Sequence, residues 1–226
     1  MKIKSDSKLL MVFLFIVLGL AALQLPISTL IGSRVKFTIF DLFAPTWGVF
    51  LGVWLGIVSV LVTQVVNLLI HGLGSIDKGS VIRLVPTLFG VWFFAKKEGR
   101  LLILPALAIV AFNLHPVGRT VWFYSLFWTI PFILWPLRDR FLVARALGAT
   151  FCAHAVGGAI WIWAFNLPAN IWISLIPIVA LERSIFALGI SSSYIFSNNL
   201  LALLKKKKIL TAAFSLDKNY LPKFLK

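Results

Sequence analysis

Four stretches place groups capable of chemistry inside runs that are otherwise apolar. Gln64, Asn67 and His71 recur at i, i+3 and i+7, so they share one helical face. Asn113, His115 and Arg119 surround Pro116 and Gly118 and lead into Trp122, Tyr124 and Trp128. His154 is followed at helical spacing by Gly158, Trp161 and Phe165, with Ala155 and Ala159 as a small-residue pair on the adjacent face. Glu182 and Arg183 stand side by side in a fourth run. Amides, imidazoles and opposite charges against aromatic walls are what anchors a small polar solute.

Each stretch also has a purely structural reading. Gln64, Asn67 and His71 can join helices by hydrogen bonds. The run from Asn113 to Trp128 can be an interfacial aromatic belt with a snorkelling arginine. Glu182 and Arg183 point about 100° apart on a helix. They are therefore expected to find partners on other helices, Arg183 with Asp41 or Glu182 with Arg83, and such a pair can serve only to fix helix register.

The surroundings make these residues conspicuous. Hydrophobic residues form 60% of the chain, against roughly 45–50% in soluble domains. Apolar runs of bilayer length recur, without the alternation of barrel strands. The expected class is all-α, a polytopic integral membrane helical bundle. A formal charge of +15 would suggest nucleic acid in a soluble protein. Here the cations sit in short loops and at the ends, so a bilayer is the partner and no nucleic acid is expected. The N-terminal run imitates a signal peptide but is too long and lacks a small-x-small site, so it is read as a retained first span. Cys152 is the single cysteine, read as a small core residue.

The spans read as 9–31, 35–70, 81–95, 101–113, 120–137, 142–167 and 171–204. The second would be about 54 Å long as one helix, so it must break. Pro45 is the expected place, giving segments 37–44 and 46–70. Gly48, Gly52 and Gly56 then offer a flat face for packing within the bundle, and Asp41 is either a cap or a partner for a buried arginine. Four basic segments lie at the N-terminus, at 96–100, at 138–140 with Arg145, and at 205–208. They place both termini in the cytoplasm, with six transmembrane helices, or eight crossings if segments 37–44 and 101–113 span; Arg34 and Lys36 fall on the outer side. The loop "NLPAN" at 166–170 reads as external. Residues 1–204 form one transmembrane domain, and 205–226 a basic cytoplasmic tail resting on anionic lipid or docking a partner.

No catalytic arrangement emerges. "GISS" at 189–192 has its serine after His154, the reverse of intramembrane serine proteases, and lacks their second glycine. Three histidines in three segments without an acidic cluster predict no metal centre, and no phosphate-cradling loop predicts a nucleotide. The protein is read as a non-enzyme without cofactor.

The stretch "FTIFDLFAPTWGVFLGVWLGIVSVLVTQVVNLLIHG" resembles the substrate-binding membrane subunits, or S components, of energy-coupling factor (ECF) transporters. "SLIPIVALERSIFALGISSSY" is similar to their closing helix. The resemblance covers about half the chain and implies a six-helix bundle in the plasma membrane that binds a vitamin or similar micronutrient near the extracellular face. It also implies a transmembrane coupling subunit and two cytoplasmic ATPase subunits as partners. The first helix lacks the AxxxA pair by which many members contact the coupling subunit. The expected solute-binding residues are Gln64, Asn67, His71, Asn113, His115, Arg119, His154 and Trp161, with Glu182 and Arg183 in the pocket or the scaffold. The competing class is a polytopic scaffold that organises a partner complex, with these polar residues as inter-helix glue.

Overall fold

The computed structural model describes residues 2–29, 36–72, 74, 76–210 and 216–225, with side chains from Lys8 onward. It is an all-α bundle apart from one short ribbon. Helix α1 (Lys2–Leu23) leads into strands β1 (Pro26–Thr29) and β2 (Lys36–Thr38), which pair antiparallel with Ser28 opposite Phe37. Helices α2 (Ile39–Phe43), α3 (Trp47–Leu51), α4 (Val53–Ile70), α5 (Lys78–Ala95) and α6 (Ile103–Leu114) follow. Then come α7 (Pro116–Thr120), a 3₁₀ run from Trp122 to Thr129, α8 (Ile130–Leu134), α9 (Leu142–Phe165) and α10 (Ala169–Lys206). The first helix ends earlier than position 31, because Pro26 cannot continue it and the chain turns into the ribbon. Arg34 lies outside the described residues.

Among the described residues, four helices are long and apolar enough to cross a membrane: α4, α5, α9 and α10. Large apolar side chains face outward on them and on α1 and α6, including Phe13, Trp54, Leu107, Leu181 and Phe196. Such a surface belongs in lipid and not in water. Contacts between Gln24 and Asn67, Trp54 and Trp92, and Trp163 and Ala111 tie neighbouring segments together. The shorter apolar segments 39–51, 99–114 and 122–137 pack beside the long helices.

The long second span breaks at Gly52 instead of Pro45. Pro45 is carried through a 3₁₀ turn, Ala44–Thr46, that joins α2 to α3 without reversing the chain. Gly52 has φ +89° and ψ 149°, a conformation open to glycine, and there the chain turns back into α4. The turn brings Gly48 and Gly56 together: a Cβ on Gly56 would lie 2.7 Å from the Gly48 Cα. A Cβ on Gly48 would lie 2.8 Å from Ala95 of α5. The spaced glycines thus close contacts within the bundle.

Helix α9 is the centre, with 61% of its membrane-length window buried against 28–33% for the other three long helices. Its small residues Ala146, Gly148, Ala149, Cys152, Ala155 and Gly158 let neighbours approach on all sides. Two aromatic clusters pack along it. One holds Phe40, Trp47, Phe50, Phe93 and Phe94. The other holds Phe112, Tyr124, Trp128, Trp161 and Trp172.

The basic segments gather at one end, where they also have structural roles. Arg138 donates to the Phe93 carbonyl at 2.7 Å and Arg145 to the Phe94 carbonyl at 2.6 Å, satisfying the free carbonyl end of α5. Burial and then the nearby Arg145 push the Arg138 pKa down to about 10. Beyond α10 the tail folds back: the Asn198 amide exchanges two hydrogen bonds with the Asp217 backbone, and Leu210 and Leu221 are buried. The four lysines are exposed, but the described part of the tail packs against the bundle.

Replacing Gly56 with Ala is expected to destabilise the protein by about 1–3 kcal/mol, as overpacking does. Gly99→Ala, where an added Cβ meets nothing within 4 Å, serves as the neutral comparison. Thermal midpoints in detergent micelles check this, and equal midpoints for the two variants would contradict the Gly48–Gly56 contact.

Candidate functional site

The bundle holds a partly open cavity of about 230 Å³. Ala149 and Ile190 of the first aromatic cluster and Tyr124, Trp161, Trp172 and Val179 of the second all line it. It is therefore the space where the two clusters fail to meet. It faces the end carrying "NLPAN", opposite the basic segments. The ribbon covers part of it with Ser28, Thr29 and Phe37, while α5, α9 and α10 form the walls.

Helix packing explains why a space is left. Pro86 lies inside α5 and has no N–H to give the Ile82 carbonyl, and both residues line the cavity. Gly157 makes room for Pro86, whose Cγ lies 3.2 Å from where a Cβ would be. Gly90 faces Ala153 in the same seam. Small residues on two facing helices leave a gap that no large side chain fills.

Four ionised groups stand on the wall in two pairs. Arg83 pairs with Asp41, with side-chain exposures of 14% and 9%. Asp41 also accepts from the Thr38 backbone N–H at 2.7 Å, so the carboxylate both caps α2 and neutralises an arginine. Arg183 donates to Glu182 at 3.0 Å. The expected crossed pairs, Arg183 with Asp41 and Glu182 with Arg83, are not formed. Although the two Cβ atoms diverge on the helix, both side chains are long enough to bend to a common point. The other Glu182 oxygen accepts from the Ser28 hydroxyl, which ties the ribbon to α10.

Aromatic rings hold the two guanidinium groups. Arg183 lies 4.6 Å from the Phe37 ring centroid and 4.3 Å from that of Phe186, and Arg83 lies 5.1 Å from Phe37. Phe37, delivered by β2, thus stacks between two arginines. Deeper in, the Trp128 indole donates to His154 Nδ1 at 3.0 Å, and His154 Nε2 stands 3.2 Å from the Tyr124 hydroxyl.

Of the sequence-derived candidates, His154, Trp161, Glu182 and Arg183 line this cavity. The other six do not. Asn67 accepts from Gln24, just beyond α1, at 2.8 Å, His71 contacts the Asn67 carbonyl, and Gln64 is buried on the same helix. Asn113 donates to Ser125 at 3.0 Å. His115 caps α7 and accepts from the Val117 N–H, while Arg119 is exposed at the end of that short helix. Asn67 and Asn113 join neighbouring segments in the way polar residues stabilise helices in lipid.

Asp41, Arg83, Tyr124, Thr150 and Phe37 line the cavity without having been expected there as site residues. Arg83 was legible as a cation well inside an apolar helix, a signal that usually marks function. Tyr124 was hidden among ordinary belt aromatics, and Phe37 by its place in a segment expected to be helical. No group of His, Cys, Asp and Glu among the described residues could hold a metal ion. Compared with known proteins, the chain matches no family model, no curated protein and no solved structure.

Asp41→Asn is expected to lower stability by on the order of 3 kcal/mol, since it leaves the largely buried Arg83 charge unpaired. The double substitution Asp41→Asn, Arg83→Gln should recover most of that loss. Thermal midpoints of the two single variants and the double variant check it, and strictly additive losses would show that the pair is not coupled.

Proposed function

We propose that this protein is the solute-binding membrane subunit of an uptake system of the ECF type, carrying a vitamin or similar micronutrient. The observation that carries this reading is the partly open cavity at the end away from the basic segments, with buried paired charges on an aromatic wall. A scaffold has no need to hold two ion pairs around an empty space, because filling it with apolar side chains would be at least as stable.

In this reading the protein sits in the plasma membrane with both termini cytoplasmic, and solute enters from the outer face. The basic end faces the cytoplasm, following the distribution of Lys and Arg. Transport is completed by partners: a transmembrane coupling subunit and two ATPase subunits. His154, Trp161, Glu182 and Arg183 contact or frame the solute together with Asp41, Arg83 and Tyr124. The scaffold reading draws on the hydrogen bonds of Asn67 and Asn113, which join neighbouring segments.

Native mass spectrometry of the full chain, extracted from the cells that make it, should show a small-molecule adduct released on collisional activation. Thr150→Phe places a ring in the cavity and should abolish the adduct while leaving the protein folded. Co-purification of ATPase subunits tests the partners. A bare protein mass together with no captured ATPase would leave the scaffold reading in its place.

A further inference from the structure

The chemistry of the solute can be narrowed from the polar atoms that the cavity leaves open; this rests on the cavity being the solute site. The Trp128 indole nitrogen can only donate, so His154 Nδ1, 3.0 Å away, accepts and carries no proton. The neutral imidazole then holds its proton on Nε2. That proton goes to the Tyr124 oxygen at 3.2 Å. The Tyr124 hydroxyl proton is left to point elsewhere. Rings of Phe112, Phe127, Trp128 and Trp172 pack around the tyrosine, and the polar direction left to it is the cavity.

The charge on the wall is already balanced, Asp41 by Arg83 and Glu182 by Arg183. A solute with net charge would lose its hydration with no unmatched counter-charge to receive it. One further position suits a polar but neutral molecule. The hydrogen bonds to Asp41 all fall on Oδ2, which leaves Oδ1 as an acceptor.

We infer that the cavity takes a small net-neutral molecule that presents a hydrogen-bond acceptor, such as an amide or heterocyclic carbonyl, to the Tyr124 hydroxyl. Trp128 and His154 are positioning residues that aim this proton inward. Three probes of one size separate the charge classes: benzamide, benzoate and benzylamine. A cavity of roughly 150 Å³ already admits benzene, so all three fit in about 230 Å³.

Equilibrium dialysis against the full chain in detergent micelles should give benzamide at least tenfold tighter binding than either charged probe. Tyr124→Phe keeps the ring and should lower the preference for benzamide over benzylamine, whose ammonium cannot accept from the hydroxyl, at least threefold. Trp128→Phe, which removes the donor to His154 together with part of the indole ring, should reduce it in the same direction. The ratio between probes is the readout, because a purely structural role would weaken all three alike. Benzoate or benzylamine binding as tightly as benzamide overturns the inference but leaves the cavity standing as a solute site. Preference unchanged in Tyr124→Phe also overturns it. If none of the probes binds, the inference falls, and if in addition no adduct accompanies the purified protein, the solute-site reading falls with it.

Discussion

Unpaired charge inside a low-dielectric bundle is the constraint on which the rest of this structure depends. Asp41, Arg83, Glu182 and Arg183 come from three separated parts of the chain, and none of them can be buried alone. Pairing Asp41 with Arg83 ties α2 to α5. Ser28 on Glu182 ties the ribbon to α10, and Arg183 reaches Thr150 of α9 at 3.4 Å. Phe37 between the two arginines adds a ring that both cations stack on. A fixed set of helix positions follows from satisfying these four groups together.

Close packing supplies the complementary condition. Around α9 the neighbours approach over alanine and glycine, and at Gly48 and Gly56 two backbones touch where any side chain would hold them apart. The same economy of side-chain volume operates at the cavity's edge, where Pro86 and Gly90 of α5 meet Gly157 and Ala153 of α9.

The all-α class and the gathering of cations at one end were legible because composition and charge placement report directly on lipid exposure. The site was legible only where an ionisable group broke an apolar run, as with His154, Glu182 and Arg183. Gln64, Asn67 and Asn113 gave a similar signal, yet an amide can serve a neighbouring segment as readily as a solute. Which it does depends on what stands opposite, and that is a tertiary fact. Gly52 was equally ambiguous: proline advertises a break, but the left-handed turn at a glycine shows only in the backbone angle. The ribbon escaped notice because an apolar stretch of membrane length reads as helix even where Pro26 ends it.

Two clusters of aromatic rings meeting without a cavity would have made a more stable bundle, since dispersion contacts are lost along every wall of a void. The cavity persists beside polar groups that are themselves expensive to bury, and Tyr124 sits where both costs coincide. Its ring belongs to the packed cluster and its hydroxyl to the polar wall. Trp128 and His154 add a directional chain of donors behind it, which a filler for hydrophobic space does not require. A directed proton at the edge of the cavity is a polar feature that packing of the rings alone does not call for.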